Sequence, residues 1–314
     1  AGDGAAGFAK LPATVIEVES EFVLGARLTG SGKPAVRRLA VKALDRGVVD
    51  PSASQLNLAK PDALASALLS VSKSMGAGGG PTALLLPDAA VRVCLLEFET
   101  LPSKPKEREA LLAWRIKDNL GFSPDEARLS YQEMHRAPGI VELLVLAIKK
   151  AVLAEYEKAI ERARGSLAFV LPASLALLPL LSQTDATCQL LTHACSGCVT
   201  HALVDGERLR FWRTRQLTRA DGDSGTAEVV SEASRAAASV RDRFNLKIER
   251  AWCCSRPGGG ADLIAALEAA LGVPVNPLPL GTGVEAGLRP DEKPLFGLFG
   301  APLAGMISNL GRSS

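Results

Sequence analysis

One order of elements occurs twice in this chain, and that repetition limits the fold more than any single motif does. Thr14 to Glu19 and Phe22 to Leu28 alternate as two strands around a tight turn, and Val36 to Leu44 follows as a third. Pro61 and Asp62 open a helix, because proline suits the first helical position and an acid favours the positive end of the helix dipole. Its apolar stripe is Leu64, Leu68, Val71 and Met75, and Gly76 to Gly80 ends it. Thr82 to Leu86 is a continuous apolar run of the kind buried on both faces. From Thr187 the order returns, with strands Thr187 to Ala194, Val199 to Val204 and Leu209 to Leu217. A helix from Ala227 to Phe244 and a strand from Ile248 to Cys254 complete it. The repeat is one of pattern, not of letters. It predicts an α/β protein of two similar lobes, and 314 residues suffice for two cores.

Between the halves lies a segment that belongs to neither pattern. Pro105 to Leu120 reads as a helix with Leu112, Ala113, Ile116 and Leu120 on one face. Val141 to Ala147 is a buried strand, and Ala151 to Arg164 a helix with Val152, Tyr156, Ala159 and Ala163 inward, stopped by Gly165. Composition then removes several classes of function. Thirty-six basic against 34 acidic residues leave +2, which gives no electrostatic case for nucleic acid. The longest apolar run, Leu167 to Leu181, contains Pro172 and Pro179 and is too short to span a bilayer. Ala1 to Lys10 lacks the apolar centre of a signal peptide, so residues 1–12 read as a flexible leader and the expected compartment is cytoplasmic.

Few residues carry chemistry by spacing. His193, Cys195, Cys198 and His201 are weak metal candidates, since thiolates and imidazoles suit tetrahedral zinc. Strand alternation puts His193 and Cys195 on one face but gives Cys198 and His201 opposite parity, so the alternatives are a Cys195–Cys198 disulfide or inert buried thiols. With only three histidines and no nucleophile elbow, a Ser/His/Asp hydrolase has little support. Gly30 to Lys33 lacks the long glycine loop of a phosphate-binding Walker sequence. Trp114, set among Arg108, Arg115 and Lys117, reads either as a partner surface or as a cover for the insert's own core.

A longer series of features has a family likeness. Leu84-Leu85-Leu86-Pro87-Asp88 is followed by Leu101-Pro102, Glu107 on an amphipathic helix, Gly121 to Glu126, and Tyr131 to Met134. Val145 to Lys150 ends an apolar strand in Ala-x-Lys, Ala163-Arg164-Gly165 returns to the first lobe, and Gly300 to Gly305 opens a closing helix. This order resembles the PilM-like family of type IV pilus assembly, related to FtsA and to the GspL cytoplasmic domain of type II secretion. The resemblance covers roughly residues 13 to 308. It implies an actin-like ATPase fold: two ribonuclease-H-like lobes with a small α/β insert in the first. The implied boundaries are 13–91 and 165–186 for the first lobe, 92–164 for the insert, 187–290 for the second lobe and 291–314 for a closing segment.

The family holds nucleotide with two glycine-bearing hairpins and an adenosine loop. Here the first hairpin reads Ile16-Glu17-Val18-Glu19-Ser20, so Glu17 replaces the metal-side aspartate and Glu19 replaces the glycine. A carboxylate aimed at a phosphate repels it by about 1 kcal/mol in water and by more at lower dielectric. The second hairpin, ending in Ser196 and Gly197, lacks both the aspartate and the family glycine; Gly258, Gly259 and Gly260 remain as an adenosine loop. The resemblance therefore implies a degenerate pseudo-ATPase scaffold with no working cofactor, or, on the alternative reading, an ATP- and magnesium-binding ATPase. A sugar or metabolite kinase of the same superfamily is a further alternative. The implied partners are the cytoplasmic tail of a PilN-like membrane protein and an assembly ATPase. That places the chain at the inner membrane through its partners, with Arg108, Trp114 and Arg115 as candidate contact residues.

Overall fold

The computed structural model describes residues 11–29, 35–181, 188–218, 223–256 and 260–310. The first lobe contains β1 (Thr14–Val18), β2 (Phe22–Leu28), β3 (Val36–Ala43), α1 (Pro61–Met75), β4 (Gly80–Leu86), α3 (Lys150–Arg162), β8 (Gly165–Pro172) and α4 (Ala173–Leu177). Its sheet order is β3-β2-β1-β4-β8, with β1 antiparallel to β2 and parallel to β4. The second lobe contains β9 (Cys188–Cys195), β10 (Cys198–Asp205), β11 (Arg208–Gln216), α5 (Asp223–Phe244), β12 (Arg250–Arg256), α6 (Ala261–Leu271) and β13 (Val275–Pro277). Its order, β11-β10-β9-β12-β13, matches the first strand for strand, with β9 parallel to β12 and antiparallel to β10. The duplication legible in the sequence is thus a duplication of topology. α7 (Lys293–Phe299) and α8 (Ala301–Leu310) close the described chain.

The insert consists of β5 (Arg92–Phe98), α2 (Pro105–Leu120), β6 (Ala127–Ala137) and β7 (Ile140–Lys149), with sheet order β5-β7-β6. Leu112, Ile116 and Leu120 of α2 pack on Val141, Leu143, Val145 and Ala147 of β7 to make its own core. The sequence assigned α3 to the insert as well. The buried face of α3, Val152, Tyr156, Ala159 and Ile160, instead joins Leu64, Leu68 and Val71 of α1 in the first-lobe core. It is the crossover helix that parallel β4 and β8 require, so the insert ends at β7.

Strand alternation sends each sheet's two faces into different cores. Ile16 and Val18 face α1 and α3, whereas Val15, Phe22 and Leu24 join Leu191, Cys195, Ala202 and Cys254 of the second lobe. α8 fills this shared core with Leu303, Ala304 and Ile307. Gly305 allows the approach: a Cβ there would lie 1.8 Å from the Ala176 carbonyl oxygen. Phe296 and Phe299, in the stretch leading to α8, are spent on packing; Phe299 meets Phe22 edge-on at 4.8 Å. Among the described residues, no helix is long and apolar enough to cross a membrane.

Candidate functional site: the interlobe cleft

The turns of the two hairpins touch. Ser20 Oγ donates to the Ser196 carbonyl at 3.3 Å. Ser196 and Gly197 both have positive φ, 50° and 75°, as the two-residue loop joining β9 and β10 requires. The first turn is tied by Glu19 N–H to the Phe22 carbonyl at 2.9 Å.

Behind the turns lies a buried set of polar side chains drawn from equivalent strands. Alternation that points Val15 into the shared core also points Glu17 there, and Arg256 follows Cys254 in the same way. Arg256 Nη1 lies 2.5 Å from Glu17 Oε1, and Nη2 lies 3.7 Å from Glu19 Oε1. All three side chains are buried, Glu17 completely. The pairing is one of charge rather than of aligned hydrogen bonds, since both Glu17 oxygens and both terminal Arg256 nitrogens lack a hydrogen-bond partner. Arg256 Nε is better placed and donates to His193 Nε2 at 3.0 Å.

That bond assigns the histidine's tautomer. With Nε2 accepting, the proton sits on Nδ1, which faces Ser174 Oγ at 2.6 Å and Asp88 Oδ2 at 3.3 Å. Asp88 also accepts from Ser174 N–H at 2.9 Å, from the Ser174 hydroxyl, and from Thr200 Oγ1 at 2.7 Å. Serine, histidine and aspartate therefore meet, but not as a nucleophilic triad. Serine and aspartate share one imidazole nitrogen, arginine caps the other, and Ser174 is fully buried.

Protonation follows the same geometry. Burial pushes Glu17 up and Glu19 further, to well above the ordinary carboxylate range, and Arg256 offsets this only in part. Burial would raise Asp88 too, but the bonds from His193 and Ser174 win and hold it low. Burial and then Arg256 lower His193, so it stays neutral. Burial works against Arg256, yet Glu17 and its other neighbours outweigh it and keep the guanidinium charged.

Of the loop residues the sequence singled out, Glu17, Glu19, Ser20, Ser196 and Gly197 come together here. Gly258 and Gly259 lie outside the described residues, and Gly260, at φ 97°, precedes α6. Asp88, Ser174, Thr200 and Arg256 were missed as parts of this site. A polar signal was available for two of them: Asp88 follows three buried leucines and Pro87, and Arg256 ends an apolar strand.

The metal candidates separate. His193, Cys195 and Cys198 share the cleft face, while His201 points to the opposite face with Nδ1 3.1 Å from Thr192 Oγ1. All six cysteines are free, and burial pushes Cys195 and Cys198 well above the ordinary thiol range, leaving neutral thiols rather than thiolate ligands. Among the described residues, no group of three His, Cys, Asp or Glu is placed to hold a metal.

A cavity of about 930 Å³ opens elsewhere, between insert and first lobe. β6 and β8, edge strands of their sheets, form its walls, with Met134, Leu144, Phe169, Leu171 and Leu175 as apolar lining. Arg108 stands on its wall, with its guanidinium bonded to the Pro102 and Ser103 carbonyls and to Tyr131 Oη. Trp114 and Arg115 do not line it. Trp114 is 59% exposed beneath Lys117, and Arg115 lies over Phe98.

No family model matches the chain, and no curated protein matches its sequence. Solved structures do match. A chain of the PilM–PilN type IV pilus biogenesis complex superposes with a TM-score of 0.78 at 18% identity, over 94% of this chain and 97% of that one. The cytoplasmic domain of EpsL, an inner-membrane component of the type II secretion system of Vibrio cholerae, gives 0.52 at 10% identity, over 96% and 95%. A Bacteroides thetaiotaomicron protein with an actin-like ATPase fold and unknown function gives 0.53 at 10%, over 90% and 94%. With its two matched sheets and its antiparallel insert, this chain has the actin-like ATPase fold and resembles PilM in structure.

Proposed function

We propose that this chain is a cytoplasmic scaffold of a type IV pilus or type II secretion platform at the inner membrane, and that it works as a pseudo-ATPase. The observation that carries the reading is the contrast between its two clefts. In the cleft between lobes, Arg256 neutralises Glu17 from inside the protein and the two hairpins are in contact, so phosphate would find the one buried cation already paired and the volume occupied. Between insert and first lobe, by contrast, an apolar cavity is bordered by two strand edges. An extended tail can use such edges for backbone hydrogen bonds and such walls for its apolar side chains. The likeness to a chain solved in complex with PilN supports a PilN-like membrane protein as the tail's source.

Two titrations test this. ATP with magnesium is expected to give no heat and no thermal shift at millimolar concentration; micromolar binding would overturn the pseudo-ATPase reading. A labelled peptide of a PilN-like cytoplasmic tail is expected to bind saturably, and the same affinity for a scrambled peptide would remove the scaffold reading.

A further inference from the structure

The second-lobe sheet has a charged end on the face turned away from the cleft. Arg213 stands directly across from His201 on β10, and Arg215 lies two residues further along β11. From α5, which covers this face, Glu232 reaches both: its Oε2 is 3.2 Å from Arg213 and 3.9 Å from Arg215. Arg235, one turn on, reaches its Oε1 at 2.5 Å. Three guanidinium groups thus surround one buried carboxylate.

We propose that Arg213, Arg215 and Arg235 form a binding site for a multivalent oxyanion, a phosphate or pyrophosphate group, for which Glu232 is the internal substitute. Charge supports this, since the carboxylate balances one guanidinium of three. Hydrogen bonding supports it independently. Of the three arginines near Glu232, only Arg235 makes an aligned hydrogen bond to it. Arg213 Nε, Glu232 Oε2 and His201 Nε2 are buried with no partner. The buried Arg213 Nε therefore stands as a donor with no acceptor, and fully buried His201, directly across from it, supplies none. Planar guanidinium forks suit phosphoryl oxygens two at a time, which one carboxylate cannot satisfy for all three. The site faces away from the Glu17–Arg256 cleft and uses none of its residues.

The test is calorimetric titration of the full chain with inorganic pyrophosphate at low ionic strength. One saturable site is expected. Arg213→Ala combined with Arg215→Ala should weaken it at least tenfold, and Arg235→Ala, whose side chain is 63% exposed, should also weaken it while leaving the fold intact. Arg241→Ala, an exposed arginine beside Asp242, should change nothing. Glu232→Gln removes the competing carboxylate and should tighten binding several-fold, with a larger pyrophosphate-induced rise in Tm than in the parent. Absence of saturable binding, unchanged affinity in the double variant, or weaker binding by Glu232→Gln would each overturn the proposal.

Discussion

Arg256, the last residue of β12, and Glu17, next to last in β1, form a fully buried ion pair at 2.5 Å that ties one lobe to the other. Its worth lies in what is left when one partner goes. Arg256→Ala would strand Glu17 without a counter-charge, and such a loss costs about 3–5 kcal/mol. Replacing the whole set with neutral groups of similar volume, Glu17→Gln, Glu19→Gln and Arg256→Met, should recover most of that. Urea denaturation checks both; a single variant no less stable than the triple would show that the pair does not join the lobes.

Glu19 sets a dependence on pH. Its pKa in the folded state is raised well above 4.5, because burial and then its acidic neighbours outweigh Arg256. The folded state therefore keeps a proton that the unfolded state loses. The resulting stabilisation is complete below about pH 4.5 and is lost as pH rises through the folded value. Glu19→Gln should flatten this decline, read as Tm against pH from 4.5 upward. An identical slope in variant and parent would place the titration elsewhere.

His201 acts with the opposite sign. Burial and then Arg213 depress it to about 3 from an ordinary 6.5, so the unfolded chain binds a proton that the folded one refuses. Stability from this source is present above pH 6.5 and is lost as pH falls toward 3. His201→Gln should reduce acid lability over that interval in the same Tm series. A variant that melts as the parent does at each acid pH would remove His201 from the account.

How far the sequence reached can be judged from these residues. Strand and helix periodicity report which face is buried, and that sufficed for the duplicated lobes and for Glu17 and Glu19 as anomalies on the cleft face. Periodicity does not report which core a helix joins, so α3 was assigned to the insert although Val152 and Tyr156 pack on α1. Nor does it report what meets a buried charge. Asp88, Ser174, His193 and Thr200 come from four separate elements, and only the folding of both sheets brings them within hydrogen-bonding distance. Trp114 marks the same limit on the surface: its letters suit a contact site and α2 leaves it exposed, but only the structure shows that it lies outside the cavity.

Gly305 tests how closely α8 must dock. A methyl group at this position would overlap the Ala176 carbonyl, an atom of the backbone that cannot rotate aside. Gly305→Ala should force α8 outward and destabilise by about 1–3 kcal/mol or more, against the small gain alanine brings to a free helix. Chemical denaturation reads the sign directly. A stabilised variant would mean that α8 and α4 are not held this close in solution.

The cavity between β6 and β8 gives the most direct test of the scaffold reading. Met134 and Leu171 belong to its apolar lining from opposite walls, and both are only partly buried, so a charge at either position disturbs the cavity more than the core. Met134→Glu or Leu171→Glu should weaken a PilN-like tail peptide at least tenfold, about 1.4 kcal/mol, with little change in Tm. Trp114→Ala, outside the cavity, should stay within twofold. Fluorescence anisotropy measures all three. If Trp114→Ala alone abolished binding, the tail would dock on the exposed face of α2, and the cavity would need another occupant.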